Sequence, residues 1–282
     1  MNSPKDILEQ YSIKPRKSLG QSFLIKQEII RIISLAANIQ KDEIVVEIGS
    51  GIGVLTGYLA QKADQVIAIE LDDQLIKVLS DQLSKYQNVE IHHGDVLKFN
   101  FQINTGSENR KIKIVGNIPY NISSPLLFYL LSFKEIIHSC LLMMQKEFVQ
   151  RLIALPGSKD YGVPSVILQM FADVEKIMDV PASAFYPRPQ VDSSLIKISF
   201  LSSPKVDLSD ENYFMKLVRD CFAHRRKTLL NNLKRSKLIE NANEERLNAW
   251  LKLAIINGQR RAETLKVEEF GHLSNLLKDK AV

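Results

Sequence analysis

Ile44-Val45-Val46-Glu47-Ile48-Gly49-Ser50-Gly51-Ile52-Gly53 opens as a strand and ends as a glycine turn. Within Ile44–Ile48 every residue but Glu47 is apolar and β-branched and none is a breaker, which predicts a strand. The glycines that follow permit a tight turn and let the backbone come close to a ligand, and a helix is expected over about Gly53–Lys62. The next strand, Gln65–Ile69, leads to Glu70, which lies 21 residues past Gly49. A carboxylate there can accept both ribose hydroxyl hydrogens of a nucleoside. The third strand, Val89–His92, runs into Gly94-Asp95, and an acid at that point can accept a hydrogen bond from an adenine amino group. The three strand ends outline an adenosine pocket. A dinucleotide-binding G-x-G-x-x-G would require glycine at position 54, where Val54 stands, so a dehydrogenase is excluded.

Further along, Ile112–Val115 reads as another buried strand, and Asn117-Ile118-Pro119-Tyr120 falls on the loop just past it. The Asn117 side-chain oxygen and the Ile118 carbonyl can both accept from one amino group. Tyr120 offers a face on which a flat ring can stack. Together they form a receptor for the exocyclic amine of a planar base. A fifth strand is expected at Ser139–Met144, and helices near Gln27–Ala37, Asp73–Lys85, Pro125–Phe133 and Lys146–Leu155. Strands alternating with helices predict a parallel sheet covered on both faces. Two later strands, Asp173–Val180 and Ser194–Phe200, are expected to pair antiparallel at one sheet edge. After Ser202-Ser203-Pro204 only helical patterns remain, about Ser209–His224, Lys227–Lys234, Glu244–Ile256 and Val267–Lys278. The domains expected are therefore 1–203 and 204–282.

The 282 residues, 45% of them hydrophobic, suffice for a large and a small core. No apolar run reaches the roughly 18 residues of a membrane span, and the N-terminal residues lack a signal-peptide apolar region. Cys140 and Cys221 lie far apart and form no C-x-x-C pair, which speaks against zinc and for a reduced, cytoplasmic compartment. His92 and His93 are adjacent on a strand and point to opposite faces, so no metal is expected there. The net charge of +5 resides wholly in residues 205–282, with 16 basic and 11 acidic residues. Within them, 221–237 hold six basic residues and no acid. Read alone, such a run is a solvated helix face; its asymmetry points to a phosphate backbone. Arg225, Arg226, Lys227, Lys234 and Arg235 are the candidates for that contact. Nothing in the sequence indicates oligomerisation, and a monomer is expected.

The pattern from Glu47 to Gly53, E-x-G-x-G-x-G, resembles the S-adenosylmethionine motif of seven-stranded methyltransferases. With Ser18–Leu24, Gly94-Asp95, Asn117–Tyr120, Phe185–Ser193 and Phe222–Leu230, the chain resembles the ribosomal RNA adenine dimethyltransferases over nearly its whole length. Phe185–Ser193 and the Arg225-Arg226-Lys227 segment, expected on a helix, favour the bacterial small-subunit members over the macrolide-resistance methylases. The resemblance implies an α/β fold: a seven-stranded, mostly parallel Rossmann-like methyltransferase sheet with a small C-terminal all-helical domain. It implies S-adenosylmethionine as cofactor. It also implies dimethylation of the N6 amines of two adjacent adenines in the 3′-terminal hairpin loop of 16S rRNA, within an immature small ribosomal subunit. By position, Gln21, Ser22 and Leu24 would enclose the methionine part, and Glu47, Gly49, Gly51 and Gly53 would form the motif's cofactor side. Glu70 would hold the ribose, Asp95 the adenine, and Asn117 both cofactor and substrate amine. Ser22 departs from the Asn or His usual there. Tyr120 and Phe185 are the candidates for stacking the target base, with Ile118 and Pro119 shaping the amine receptor.

Rival readings are an N6-adenine DNA or protein-glutamine methyltransferase, which tend to carry N-P-P-Y or D-P-P-Y, a methylase of 23S rRNA adenine, and an RNA-binding assembly factor with methylation secondary. Ile118 and the basic tail argue against the first pair.

Overall fold

The computed structural model of the protein describes residues 4–104, 112–239 and 243–280. The elements are α1 (Pro4–Gln10), β1 (Phe23–Leu24), α2 (Gln27–Ala36), β2 (Ile44–Ile48), α3 (Val54–Ala60), β3 (Gln65–Glu70), α4 (Asp73–Leu83) and β4 (Val89–His93). They continue with β5 (Ile112–Asn117), α5 (Ser123–Leu131), β6 (Ile137–Gln145), α6 (Lys146–Leu152), α7 (Val163–Phe171), β7 (Ala172–Val180), β8 (Phe185–Tyr186) and β9 (Ser193–Phe200). The remainder is helical: α8 (Glu211–Cys221), α9 (Leu229–Leu233), α10 (Glu244–Leu253) and α11 (Val267–Lys280).

Seven strands form one sheet in the order β4-β3-β2-β5-β6-β9-β7. β4, β3, β2, β5 and β6 run parallel, and β9 pairs antiparallel with β6. The two late strands are neighbours at one edge, as expected. Every residue of β2 is buried, the apolar Ile44, Val45, Val46 and Ile48 and the acidic Glu47 alike, as befits a strand covered on both faces. Lys113, buried on β5, is tolerated because Nζ meets Glu43 at 2.8 Å and donates to the Asn38 carbonyl at 2.7 Å. From β2 the chain builds outward through β3 and β4, then crosses to β5 on the other side. The switch between β2 and β5 opens a crevice beyond their carboxyl ends, where open α/β sheets bind ligands.

Gly116 sits at that switch, opposite Ile48. A Cβ there would stand 2.8 Å from both the Ile48 carbonyl oxygen and Ile118 Cδ1. The oxygen belongs to a buried strand and cannot retreat. Gly116→Ala is therefore expected to cost about 1–3 kcal/mol of stability by overpacking, read as a lower denaturant midpoint at unchanged slope.

Two expectations need correction. β5 extends through Asn117, which pairs with Met143, and the Ile118 N–H donates to the Met143 carbonyl at 3.0 Å. Asn117 thus ends a strand rather than starting a loop. The single boundary at 203 also fails: the chain divides into Met1–Val149 with Glu175–Phe200, and Gln150–Val174 with Leu201–Val282. The reason is packing. α7 buries nearly all its side chains, and Phe171 meets Phe214 of α8 edge to face, with ring centroids 6.1 Å apart. A Cβ on Gly271 of α11 would lie 2.8 Å from Val206 and 3.0 Å from Met170, so α7 and α11 approach at van der Waals distance.

Candidate active site

A cleft of about 700 Å³ lies at the switch point, lined by the Ser18–Leu24 strap, the turn after β2, the ends of β3 and β4, Asn117–Tyr120 and the segment after β8. That volume suits a nucleoside-sized ligand. Gln21, Ser22, Leu24, Glu47, Gly49, Gly51, Glu70, Asp95, Asn117, Ile118, Pro119, Tyr120 and Phe185 all line it. Gly53 does not: it caps α3 with φ +78°, and a Cβ there would press on Leu79 at 3.1 Å. Its place is a packing position behind the turn.

The turn itself needs glycine. Gly49 and Gly51 have φ of +70° and +58°, and a Cβ on Gly51 would stand 3.3 Å from the Phe23 ring. A Cβ on Gly49 would lie 3.5 Å from the Asn117 carbonyl oxygen, so the glycine turn and the N-I-P-Y segment face one shared space. Glu70 is fixed by three backbone donors: Gly51 N–H to Oε2 at 2.8 Å, and the Leu71 and Asp72 N–H groups to Oε1, each at 2.9 Å. Burial holds its pKa above the ordinary carboxylate value, the three N–H groups oppose this, and the nearby Asp72 charge adds to it. Asp95 caps the following 3-10 turn through Oδ1, which accepts from Leu97 N–H at 3.0 Å. Its second oxygen is the one left for a ligand.

Asn117 Nδ2 donates to the Ser22 carbonyl at 2.8 Å. That bond fixes the amide orientation and leaves Oδ1, the acceptor, for a ligand N–H. Ser22 is held at both ends, since its Oγ donates to the Pro187 carbonyl at 2.8 Å. The Tyr120 hydroxyl shares a 2.9 Å hydrogen bond with Ser193 Oγ, which pins the ring. Phe185 is both a core side chain, 4% exposed, and part of the cleft wall.

One participant escaped the sequence reading. Asp72, its side chain 2% exposed, takes Arg16 Nη1 at 2.8 Å and Gln21 Nε2 at 2.7 Å, and it caps α4 by accepting from Gln74 N–H. Gln21 Oε1 in turn accepts from Arg16 N–H at 2.8 Å. Both ends of the Gln21 amide are thus used to anchor the strap beside Glu70. An Asp just before a helical run is a cap signal, but nothing local announces the long-range partners.

Glu47 is 3% exposed, and its Oε2 makes no hydrogen bond. Burial pushes its pKa up to about 8; the Thr56 and Ser50 hydroxyls nearby pull down more weakly, and Glu70 adds a small rise. A carboxyl raised in the folded state stabilises fully below its unfolded pKa of about 4.5, and the benefit is lost as pH climbs to about 8. Glu47→Gln should remove this slope. Between pH 5 and 9 the variant is expected to gain on the wild type by on the order of a few kcal/mol, measured by urea unfolding at each pH. Parallel curves would contradict a neutral Glu47.

The basic candidates lie in the second unit. Arg225–Lys227 fall in the turn between α8 and α9 rather than on a helix, because Thr228 caps α9 by accepting from Asn231 N–H. Arg225 is tied to Glu263 at 2.7 Å and to the Lys159 carbonyl, and Lys234 is tied to Glu244. Arg226, Lys227 and Arg235 are exposed and make no ion pair among the described residues. His92 packs edge-on against Phe99, while His93 reaches Asp73 at 2.8 Å, so the two rings diverge. Among the described residues no cluster of three His, Cys, Asp or Glu could hold a metal, and no helix is long and apolar enough to cross a membrane.

Residues 13–279 match the family described as ribosomal RNA adenine dimethylase. A relative from Syntrophus aciditrophicus named ribosomal RNA small subunit methyltransferase A is 40% identical over 98% of this chain and 99% of its own. One of the same name from Bacillus cereus is 42% identical over 98% and 96%. Among solved structures, a dimethyladenosine transferase from Plasmodium falciparum superposes with a TM-score of 0.74 at 30% identity, covering 88% of this chain and 94% of that one. The 23S rRNA methyltransferase ErmE gives 0.69 at 26%, covering 91% and 99%. A shared cleft between glycine turn and N-I-P-Y segment, and a match over nearly the whole length, lead to one statement: the chain belongs to the ribosomal RNA adenine dimethylase family.

Proposed function

We propose that the protein dimethylates the N6 amines of two adjacent adenines in the 3′-terminal hairpin loop of 16S rRNA, using S-adenosylmethionine. It would act as a cytoplasmic monomer on an immature small ribosomal subunit. The observation that carries this reading is the Asn117 carboxamide, fixed by its bond to Ser22 with Oδ1 left to accept, in one cleft with Glu70 and the glycine turn. The donor set suits the cofactor. Glu70 presents an ordered carboxylate for ribose hydroxyls, Asp95 keeps one oxygen for an adenine amine, and Gly49 and Gly51 leave backbone bare where a ligand must approach.

When bound, S-adenosylmethionine supplies an electrophilic methyl group on sulfur. The chain's own work is orientation. Asn117 Oδ1 and the Ile118 carbonyl accept hydrogen bonds from the N6 amine, favour a pyramidal nitrogen and aim its lone pair. Tyr120 and Phe185 hold the base by its faces, worth roughly 1–3 kcal/mol per stacked base. The N-I-P-Y segment has no His or carboxylate, and the amine proton leaves to water once the nitrogen carries its new methyl. The second round requires the monomethyl amine to rotate and offer its lone pair again.

The small-subunit names of the relatives at about 40% identity favour 16S over 23S rRNA. The deciding experiment incubates unmethylated small subunits and large subunits with isotopically labelled cofactor and maps label by mass spectrometry of rRNA fragments. Label in two adjacent adenines of the 16S 3′ hairpin is expected; label confined to 23S rRNA, or none, would refute the reading.

A further inference from the structure

The segment that follows the cleft wall carries two side chains with no assigned work. β8 pairs antiparallel with β1, Phe23 opposite Tyr186 and Leu24 opposite Phe185. Strand alternation sends Phe185 inward and Tyr186 outward. Phe185 is 4% exposed and Tyr186 47%. Arg188, two residues on, is exposed at the cleft wall. Among the described residues neither Tyr186 nor Arg188 makes a hydrogen bond, ion pair or ring contact. The backbone that presents them is nonetheless held firmly. Ser22 Oγ donates to the Pro187 carbonyl at 2.8 Å, Ile25 N–H donates to the Ala184 carbonyl at 2.9 Å, and Asp192 Oδ1 accepts from Ala182 N–H at 2.9 Å. Arg188 stands on the cleft wall, and Tyr186 lies between the wall residues Phe185 and Pro187 with its own ring turned outward beside the cleft. An unpartnered guanidinium and an unpartnered aromatic ring on one fixed backbone need a reason.

We propose that Tyr186 and Arg188 form a seat for the nucleotide next to the adenine that enters the cleft. Tyr186 stacks on the neighbouring base, and Arg188 takes the phosphate that joins the two nucleotides. This rests on the reading that the cleft accepts an RNA adenine. Turning one base into the cleft strips its neighbour of a stacking partner, and unstacked bases are taken up on aromatic faces. A Tyr ring has few rotors to freeze, so a rigid presentation binds at low entropic cost. Arginine, with its planar fork, suits a phosphate better than a compact ammonium does. Stacking reads only a ring face, so the seat accepts an adenine whether or not its N6 already carries methyl groups. An enzyme that treats two adjacent adenines in turn needs this tolerance, because the neighbour of the second target is the product of the first.

The test is a protein–nucleotide mutant cycle on the full chain. Synthetic hairpins of the 16S 3′ sequence carry the neighbouring adenine, an abasic site, or 2-aminopurine at that position. Tyr186→Ala is expected to raise KM for the intact hairpin on the order of tenfold, with kcat within about twofold and Tyr186→Phe close to wild type. On the abasic hairpin, wild type and Tyr186→Ala should give the same KM. Wild-type protein should quench 2-aminopurine fluorescence, and Tyr186→Ala should not. Arg188→Ala should lower the log–log salt slope of binding by about 0.7, one single-strand phosphate. An unchanged KM on the intact hairpin, an equal loss on the abasic one, or no quench with the wild type each overturns the seat. Failure of the wild type to transfer methyl groups to unmethylated small subunits is a separate result that sinks the reading of the cleft, while the quench on the hairpin still decides the seat.

Discussion

Asn117→Ala lowers the rate of methyl transfer by about 10²- to 10³-fold, the loss typical of removing one preorganised hydrogen-bonding group at a reacting centre. Cofactor affinity stays within a few fold, because Glu70 is held by backbone N–H groups and Asp95 by its own cap, neither through Asn117. Single-turnover transfer and calorimetric titration with the cofactor separate the two effects. A complementary variant divides the residue's two roles. Asn117→Asp keeps acceptor oxygens but sets a carboxylate against the Ser22 carbonyl where Nδ2 now donates. That contact becomes repulsive, and the strap is loosened. The Asp variant is expected to weaken cofactor binding more than the Ala variant does. Wild-type turnover by Asn117→Ala would end the amine-orienting role.

The second large effect belongs to the basic surface of the other unit. Changing Arg226, Lys227 and Arg235 together to Glu should weaken RNA binding on the order of 100-fold near physiological salt and reduce the log–log salt slope by about two to three. These three are exposed and without an ion-pair partner among the described residues, so their charge is available to phosphate. Arg225 and Lys234 are expected to matter less to the slope, since each already faces a glutamate. Arg225→Ala should instead destabilise the turn it ties to Glu263 and the Lys159 carbonyl. An unchanged affinity and slope in the triple variant would leave this surface as solvated charge.

Much of this architecture could be read from the chain. β2, β3 and β5 are short segments rich in Val and Ile, so their composition and length speak for themselves. The glycine turn, Glu70 and Asp95 were legible because each sits at a strand end. What stayed hidden was set by distant partners. β1 and β8 are two residues each, too short for any periodicity to register. Asp72 looks like a helix cap, and its bonds to Arg16 and Gln21 span 56 and 51 residues of chain. Gly53 fits the motif by spacing, yet its φ and the nearness of Leu79 turn it away from the cleft. The unit boundary misled because α7 precedes the Ser202-Ser203-Pro204 linker in the chain, while its buried side chains meet α8 and α11.

Asn117 ends a central strand instead of riding on a loop. The side chain proposed to aim the nucleophile therefore inherits the stiffness of the sheet, clamped on one side by Met143 and on the other by the close approach at Gly116. The nucleotide seat proposed at Tyr186 and Arg188 springs instead from β8, which ladders only to the two-residue β1. Anyone redirecting such a catalyst to another RNA can redraw the grip around 185–191 and leave the sight line at 117 untouched.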